Sequence, residues 1–181
     1  MAAGDAVLGL FQKLQSLQKL QKLCNGLALR SPKQWLRPLT WTDLPAVLET
    51  EAACYPQPWS RNTFVDCLKA KSKGYHCVAL MLDESLAGHC IFTVIIDEAE
   101  LLNFCLAPAH QGQGLAKPFL DQVLADMAEQ GAATIFLEVR KGNEAARQLY
   151  HSVGLSQLRV RKNYYPAPQG REDAILMSRE L

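Results

Sequence analysis

Three features of this chain could do chemistry, and they follow one another along the sequence. The first is a glycine-rich run, Gln111-Gly112-Gln113-Gly114-Leu115-Ala116, set straight after the apolar stretch Leu101 to Leu106. Such a turn between a strand and a helix offers backbone N–H groups with no side chains in the way, at the positive end of the helix. That is a site for phosphate or pyrophosphate. The run has neither the Gly-Lys-Ser/Thr ending of a Walker loop nor the G-x-G-x-x-G spacing of a dinucleotide turn. The second feature is Glu138 in "ATIFLEVR". A strand apolar nearly throughout reads as buried on both faces, where a carboxylate needs compensation. Glu138 is then a partly desolvated group with a raised pKa, suited to act as a general base. The competing reading places it at the strand's end, paired with Arg140 or another cation. The third feature is Tyr150 in "EAARQLYHSVG", which on its own reads as a packing residue with its hydroxyl towards water.

Other residues could meet an acceptor. Asp97, Glu98 and Glu100 cluster before the Leu101 stretch, and Glu172 and Asp173 lie near the end; these carboxylates could hold a cationic peptide or stand solvated in loops. Tyr164 and Tyr165 could frame an N-terminal residue, with Trp59 on the far wall, or simply pack. Cys105 could serve as a nucleophile, but no His stands beside it in sequence, and a core thiol is the plainer reading.

The elements that must position these groups are marked by local signals. A first strand reads from Gln34 to Leu39, a helix from Thr42 or Asp43 to Cys54, and a second helix capped by Ser60 to Ala70. Tyr75–Leu82 and Leu86–Ile96 read as a hairpin around Asp83-Glu84-Ser85. A strand from Glu100 to Leu106 leads through the glycine run into a helix ending near Gly131. Pro118 would cost that helix a backbone bond if it began at Gly114, so its regular part is expected to start nearer Pro118. Thr134–Val139 is a strand, Asn143 caps the next helix and Gly154 ends it. Gln157–Lys162 and Ala174–Ser178 close the sheet. The order β-α-α-β-β-β-α-β-α-β-β predicts one α/β domain over residues 34–181, a mixed, mostly antiparallel sheet flanked by helices.

Residues 1–33 read as an amphipathic extension and linker. "LGLFQKLQSLQKLQKL" sets Leu14, Leu17, Leu20 and Leu23 three apart opposite Gln and Lys. Such a helix could dock on a partner or a membrane surface, or pack on its own domain. The formal charge of +1 divides unevenly. Met1–Arg37 holds six Lys/Arg against Asp5 alone, while the remainder holds 13 against 17 Asp/Glu. No direct nucleic-acid contact is expected. The six cysteines form no C-x-x-C pair and no zinc-ligand spacing, so no metal is expected. With no secretory signal pattern, a cytoplasmic protein is expected.

The run Gln111–Ala116 fits Q/R-x-x-G-x-G/A, and the chain from Leu39 to Met177 resembles the GNAT superfamily of N-acetyltransferases. The segments "PWS", "DEAEL", "HQGQGLA", "FLEVRKGNEAARQLY" and "RKNYYPAPQGREDAILM" are most similar to the bacterial branch that acetylates the N-terminal alanine of a small-subunit ribosomal protein. The resemblance implies acetyl-CoA as cosubstrate and a ribosomal protein N-terminus as partner. It implies that Phe104, Cys105 and Leu106 line the acetyl-CoA arm through strand backbone groups. Gly112, Gln113, Gly114, Leu115, Ala116 and Lys117 cradle the pyrophosphate, and Asn143 touches the cofactor. Glu138 is the proton acceptor and Tyr150 the donor; Trp59, Asp97, Glu98, Tyr164 and Tyr165 are expected at the acceptor. Gly112 stands where the family often has Arg, which removes one phosphate cation. A phenol (pKa about 10) protonates a departing thiolate (about 8.5) slightly uphill unless the site lowers the tyrosine. The same fold acting on a small amine, or binding acyl-CoA without turnover, stays open.

Overall fold

The computed structural model describes residues 34–168 and 170–181, so the amphipathic segment expected over 1–33 lies outside the described residues. The compact unit Gln34–Leu181 is built on one seven-stranded sheet. Its strands are β1 (Gln34–Pro38), β2 (Tyr75–Leu82), β3 (Ser85–Ile95), β4 (Glu98–Leu106), β5 (Thr134–Arg140), β6 (Ser156–Ala167) and β7 (Gly170–Glu180). They lie in the order β1-β2-β3-β4-β5-β7-β6, and every pairing is antiparallel except β4 with β5. The predicted fold class and element order hold. The last two strands run well beyond the expected Gln157–Lys162 and Ala174–Ser178.

Four helices flank the sheet: α1 (Leu44–Cys54), α2 (Arg61–Lys69), α3 (Ala116–Glu129) and α4 (Glu144–Ser152). Ser60 caps α2 by accepting from the Thr63 N–H at 3.2 Å. One core packs Phe119, Leu120, Val123 and Met127 of α3 onto Leu80, Phe92, Leu101, Ile135 and Leu137. A second packs Val47 and Phe64 of α1 and α2 onto Ala79, Met81 and Ile91. Among the described residues no helix is long and apolar enough to cross a membrane.

Two irregularities shape the C-terminal half of β4. Its register against β3 shifts between Ile91 and Phe92, which face Asn103 and Leu101, so Leu102 is the extra residue of a bulge. Beyond the bulge the side-chain alternation is reversed. Phe104 now joins Phe119 on the α3 side, with ring centroids 4.8 Å apart, and Asn103 turns towards α1. The pairing with β5 also ends at Leu101 opposite Leu137. Past that point the two parallel strands diverge, and a cleft opens between Leu102–Leu106 and Glu138–Arg140.

Candidate active site

The cleft leads into a cavity of about 710 Å³. Trp59, Phe104, Glu138, Asn143, Tyr150 and Tyr165, six of the expected site residues, line it together. They come from the turn after α1, from β4, from β5, from both ends of α4 and from β6.

Glu138 does not stand in a strand buried on both faces. Strand β5 alternates, with Ile135, Leu137 and Val139 buried and Phe136, Glu138 and Arg140 half-buried, because α1 and α2 cover only the β1–β4 half of the opposite face. The cation that partners Glu138 is Arg161 of β6, which donates to Oε1. Arg140 instead binds Glu172 at 3.2 Å, the Pro166 carbonyl at 2.9 Å and Gln57 at 3.3 Å, and lies 4.4 Å over the Tyr165 ring. It ties β5, the turn after α1 and the β6–β7 hairpin into one wall.

Tyr150 is buried, and burial first, then the neighbouring Cys90, Tyr165 and Cys105 groups, push its hydroxyl well above the usual phenol range. The shift is opposite to the one that would ease proton donation. Tyr150 stays protonated across the working range, a hydrogen-bond donor facing the cavity. Asn143 caps α4 through its side-chain oxygen, accepting from the Ala146 N–H at 3.1 Å.

The glycine turn sits at the end of β4. Gly112 and Gly114 have φ of +70° and +76° with open space where a Cβ would stand, a conformation that favours glycine. Helix α3 begins at Ala116 rather than nearer Pro118, and its first bond runs from the Phe119 N–H to the Leu115 carbonyl at 3.1 Å. Pro118 therefore falls among the first residues, whose N–H groups have no intrahelical partner, and no bond is lost. Gln113 is turned back to the Ala109 carbonyl (2.7 Å), and Lys117 pairs with Asp121 (2.8 Å). The turn thus presents backbone rather than free side-chain groups.

On β4 the expected lining needs one correction. The Phe104 carbonyl accepts from the Tyr55 hydroxyl at 2.8 Å and the Leu106 carbonyl from Gln111 at 2.9 Å, so both residues turn their backbone groups to the cleft. Strand alternation then turns the Cys105 backbone to β3. Its thiol is buried as well, and desolvation with Cys54 nearby pushes the thiol far up. The missing histidine does exist in space, because His89 is the β3 partner of Cys105. Glu51, His89 and Cys105 bring donor atoms within 4.8 Å of one another.

Three expected acceptor residues fall elsewhere. Asp97 lies in the turn before β4 and Glu98 opens the strand, at the end remote from Phe104; the Asp97 carbonyl takes the N–H groups of Ala133 and Thr134. Tyr164 is turned outward beneath Arg161, whose guanidinium lies 4.1 Å from its ring, because β6 bulges between Arg161 and Tyr165 with Asn163 at φ +55°. That bulge directs Tyr165, not Tyr164, to the cavity, where burial and then the Glu138 charge push its hydroxyl up to about 12. Residues not singled out from sequence also matter: Glu51 and Tyr55 at the end of α1, His89, Asn103 and Arg161. A signal existed for Glu51, which follows Leu44 and Val47 at the spacing of a buried helix face.

Comparison with known proteins agrees with this fold. The acetyltransferase (GNAT) family model matches residues 44–155. The ribosomal protein bS18-alanine N-acetyltransferase of Escherichia coli (strain K12) is 39% identical over 142 residues, 77% of this chain and 93% of that protein. A putative counterpart from Bacillus subtilis (strain 168) is 30% identical, over 80% and 94%. The crystal structure of the Escherichia coli ribosomal-protein-S18-alanine N-acetyltransferase superposes with a TM-score of 0.74 at 37% identity, covering 81% of this chain and 92% of that one. A Salmonella typhimurium protein solved with its cofactor acetyl-CoA shares the fold at 16% identity and a TM-score of 0.70, covering 82% and 94%. The chain is an N-acetyltransferase, and it belongs to the GNAT family.

Proposed function

We propose that this enzyme acetylates the N-terminal alanine amine of a small-subunit ribosomal protein in the cytoplasm, taking the acetyl group from acetyl-CoA. The observation that carries the reading is the meeting of Glu138, Tyr150 and Asn143 at the point where β4 and β5 part, with an open glycine turn following the end of the same β4 strand. The names of the relatives support the acceptor.

The residues present fit acetyl-CoA. Gly112 and Gly114 keep the turn free of side chains, and α3 starts just beyond it. Phe104 and Leu106 offer cleft-facing backbone groups, and Asn143 lines the cavity. When bound, acetyl-CoA supplies an acyl group activated as a thioester. The chain's own residues manage two protons. A peptide α-amine has a reference pKa of about 8, so about a tenth is already neutral at pH 7. Arg161 occupies Oε1 of Glu138, and Oε2 is the atom that accepts the amine proton, directly or through a water. The Tyr150 hydroxyl donates to the sulfur as negative charge develops there, and the tyrosine's high pKa makes it a late, partial donor. Trp59 and Tyr165 hold the first residue of the acceptor between them.

The test is acetylation of a synthetic peptide that begins with Ala. Glu138→Gln is expected to lower kcat by about 10²- to 10³-fold and Tyr150→Phe by about tenfold or more. Full activity in both variants refutes the mechanism. Preference for internal lysines or small amines refutes the acceptor.

A further inference from the structure

Glu51 is a carboxylate that this mechanism leaves idle. It is 1% exposed and belongs to the cavity wall. Its oxygens accept from the Trp59 N–H at 3.0 Å, from Asn103 Nδ2 at 3.1 and 3.2 Å, and from His89 Nε2 at 3.3 Å. Among the described residues no Lys or Arg pairs with it. The cavity's other two carboxylates are each bonded to an arginine, Glu138 to Arg161 and Glu172 to Arg140. The basic neighbour of Glu51 is the His89 ring at 3.3 Å, and a polar group buried this deeply is screened poorly by water.

Asn103 adds a second, independent sign. Its Nδ2 is committed to Glu51, and its buried Oδ1 has no partner at all. An unpaired buried acceptor is costly, and native structures keep few of them without a role. The titratable groups that face Glu51 are His89 from β3, Cys105 from β4 and Tyr55 from the end of α1, with Cys54 beside Cys105. Burial keeps Cys105 and Tyr55 protonated. The wall therefore holds a buried carboxylate and a free carbonyl oxygen, with only the His89 ring beside them, its Nδ1 also unpartnered; among the described residues no Lys or Arg supplies them with N–H donors.

We propose that this wall is the seat of the acceptor's ammonium group: Glu51 draws the peptide's α-ammonium into the cavity and Asn103 Oδ1 accepts one of its N–H bonds. The inference rests on the reading that the acceptor is a peptide amine. Capture as ammonium keeps the amine protonated until Glu138 takes the proton. Glu51 thereby exchanges some ease of deprotonation for tighter capture.

The experiment compares the binding of an Ala-initiated hexapeptide with that of its des-amino analogue, in which propionyl replaces alanyl, in the presence of CoA. Both peptides are titrated into the full-length wild type and into Glu51→Gln. The wild type is expected to prefer the amine about tenfold or more, and Glu51→Gln to reduce that preference to about twofold, a loss of about 1 kcal/mol of selectivity. The acid limb of the kcat profile is expected to move to lower pH in Glu51→Gln. Unchanged CoA binding and thermal unfolding establish that the variant is folded, and Asn103→Ala, expected to lose part of the same preference, is measured beside it. An equal weakening of both peptides in Glu51→Gln assigns Glu51 a purely structural role and overturns the proposal. So does an undiminished preference for the amine. A wild type that acetylates only small amines refutes the peptide reading instead, and the same amine and des-amino comparison on that acceptor then decides for or against the ammonium seat.

Discussion

Arg140→Ala should loosen the acceptor wall while sparing the cofactor side. Arg140 and Glu172 are 23% and 27% exposed, so their ion pair is only half-screened and contributes about 1 kcal/mol. The stack on Tyr165 at 4.4 Å adds about 1 kcal/mol. The bonds to the Pro166 carbonyl and Gln57 add about 0.5 kcal/mol each. One side chain makes all of these, so their sum is an upper bound. Glu172 also keeps its bond from the Gly142 N–H at 2.6 Å, and about 2 kcal/mol is the reasonable loss. For a domain of this size that lowers Tm by about 4 to 8 °C. Expressed in the wall alone, it raises the peptide KM by about 10- to 30-fold. Steady-state kinetics in both substrates and a thermal melt check it, with acetyl-CoA KM expected within about twofold because the glycine turn lies across the cleft. Arg140→Lys keeps the charge but loses the fork, and should fall about midway. Unchanged Tm and peptide KM in Arg140→Ala would refute the clamp, and an equal rise in both KM values would place the damage in β5.

Gly114→Ala puts a Cβ on a φ of +76° and strains the turn by about 1 to 2 kcal/mol; acetyl-CoA KM should rise about 5- to 30-fold with peptide KM unchanged. Cys105→Ala should keep kcat within about threefold, since the thiol is buried and its pKa is pushed up, whereas a covalent route would lose turnover and show ping-pong kinetics. The Arg37 guanidinium, bonded at 2.6 and 2.7 Å, holds the Asp43 carboxyl down at about 2. The unfolded value is about 3.9, so this stabilisation is present above pH 4 and is lost as the pH falls towards 2. Discounted for the exposure of Arg37, it is worth about 1 to 2 kcal/mol. Urea midpoints against pH should show it, and Asp43→Asn should flatten that slope.

Local signals carried most of the fold. The caps at Ser60 and Asn143, the turn at Asp83–Ser85 and the glycine at 154 are short-range features, and each marked its element in the right place. The lengths of β6 and β7 were not legible, because their outer residues are polar and exposed and only pairing makes them strand. Pro118 misled for a local reason as well: its cost depends on where α3 begins, and the turn conformation at Gly112 and Gly114 decides that. Tyr164 and Tyr165 were indistinguishable in sequence, since one bulged residue at Asn163 determines which ring faces the cavity.

The residue types themselves determined the chemistry available to this chain: a side-chain-free anion turn, a carboxylate two residues from the end of a strand, a tyrosine and a capping asparagine on the next helix. Backbone sterics and hydrogen-bonding periods act over a few residues, and such features are written locally. The tertiary structure alone decided the electrostatics. Arg161 reaches Glu138 across 23 residues, Arg140 reaches Glu172 across 32, and Asn103 reaches Glu51 across 52. Charge pairing depends on distance in space, and that distance was set by where β4 bulges, where it leaves β5, and which half of the sheet α1 covers.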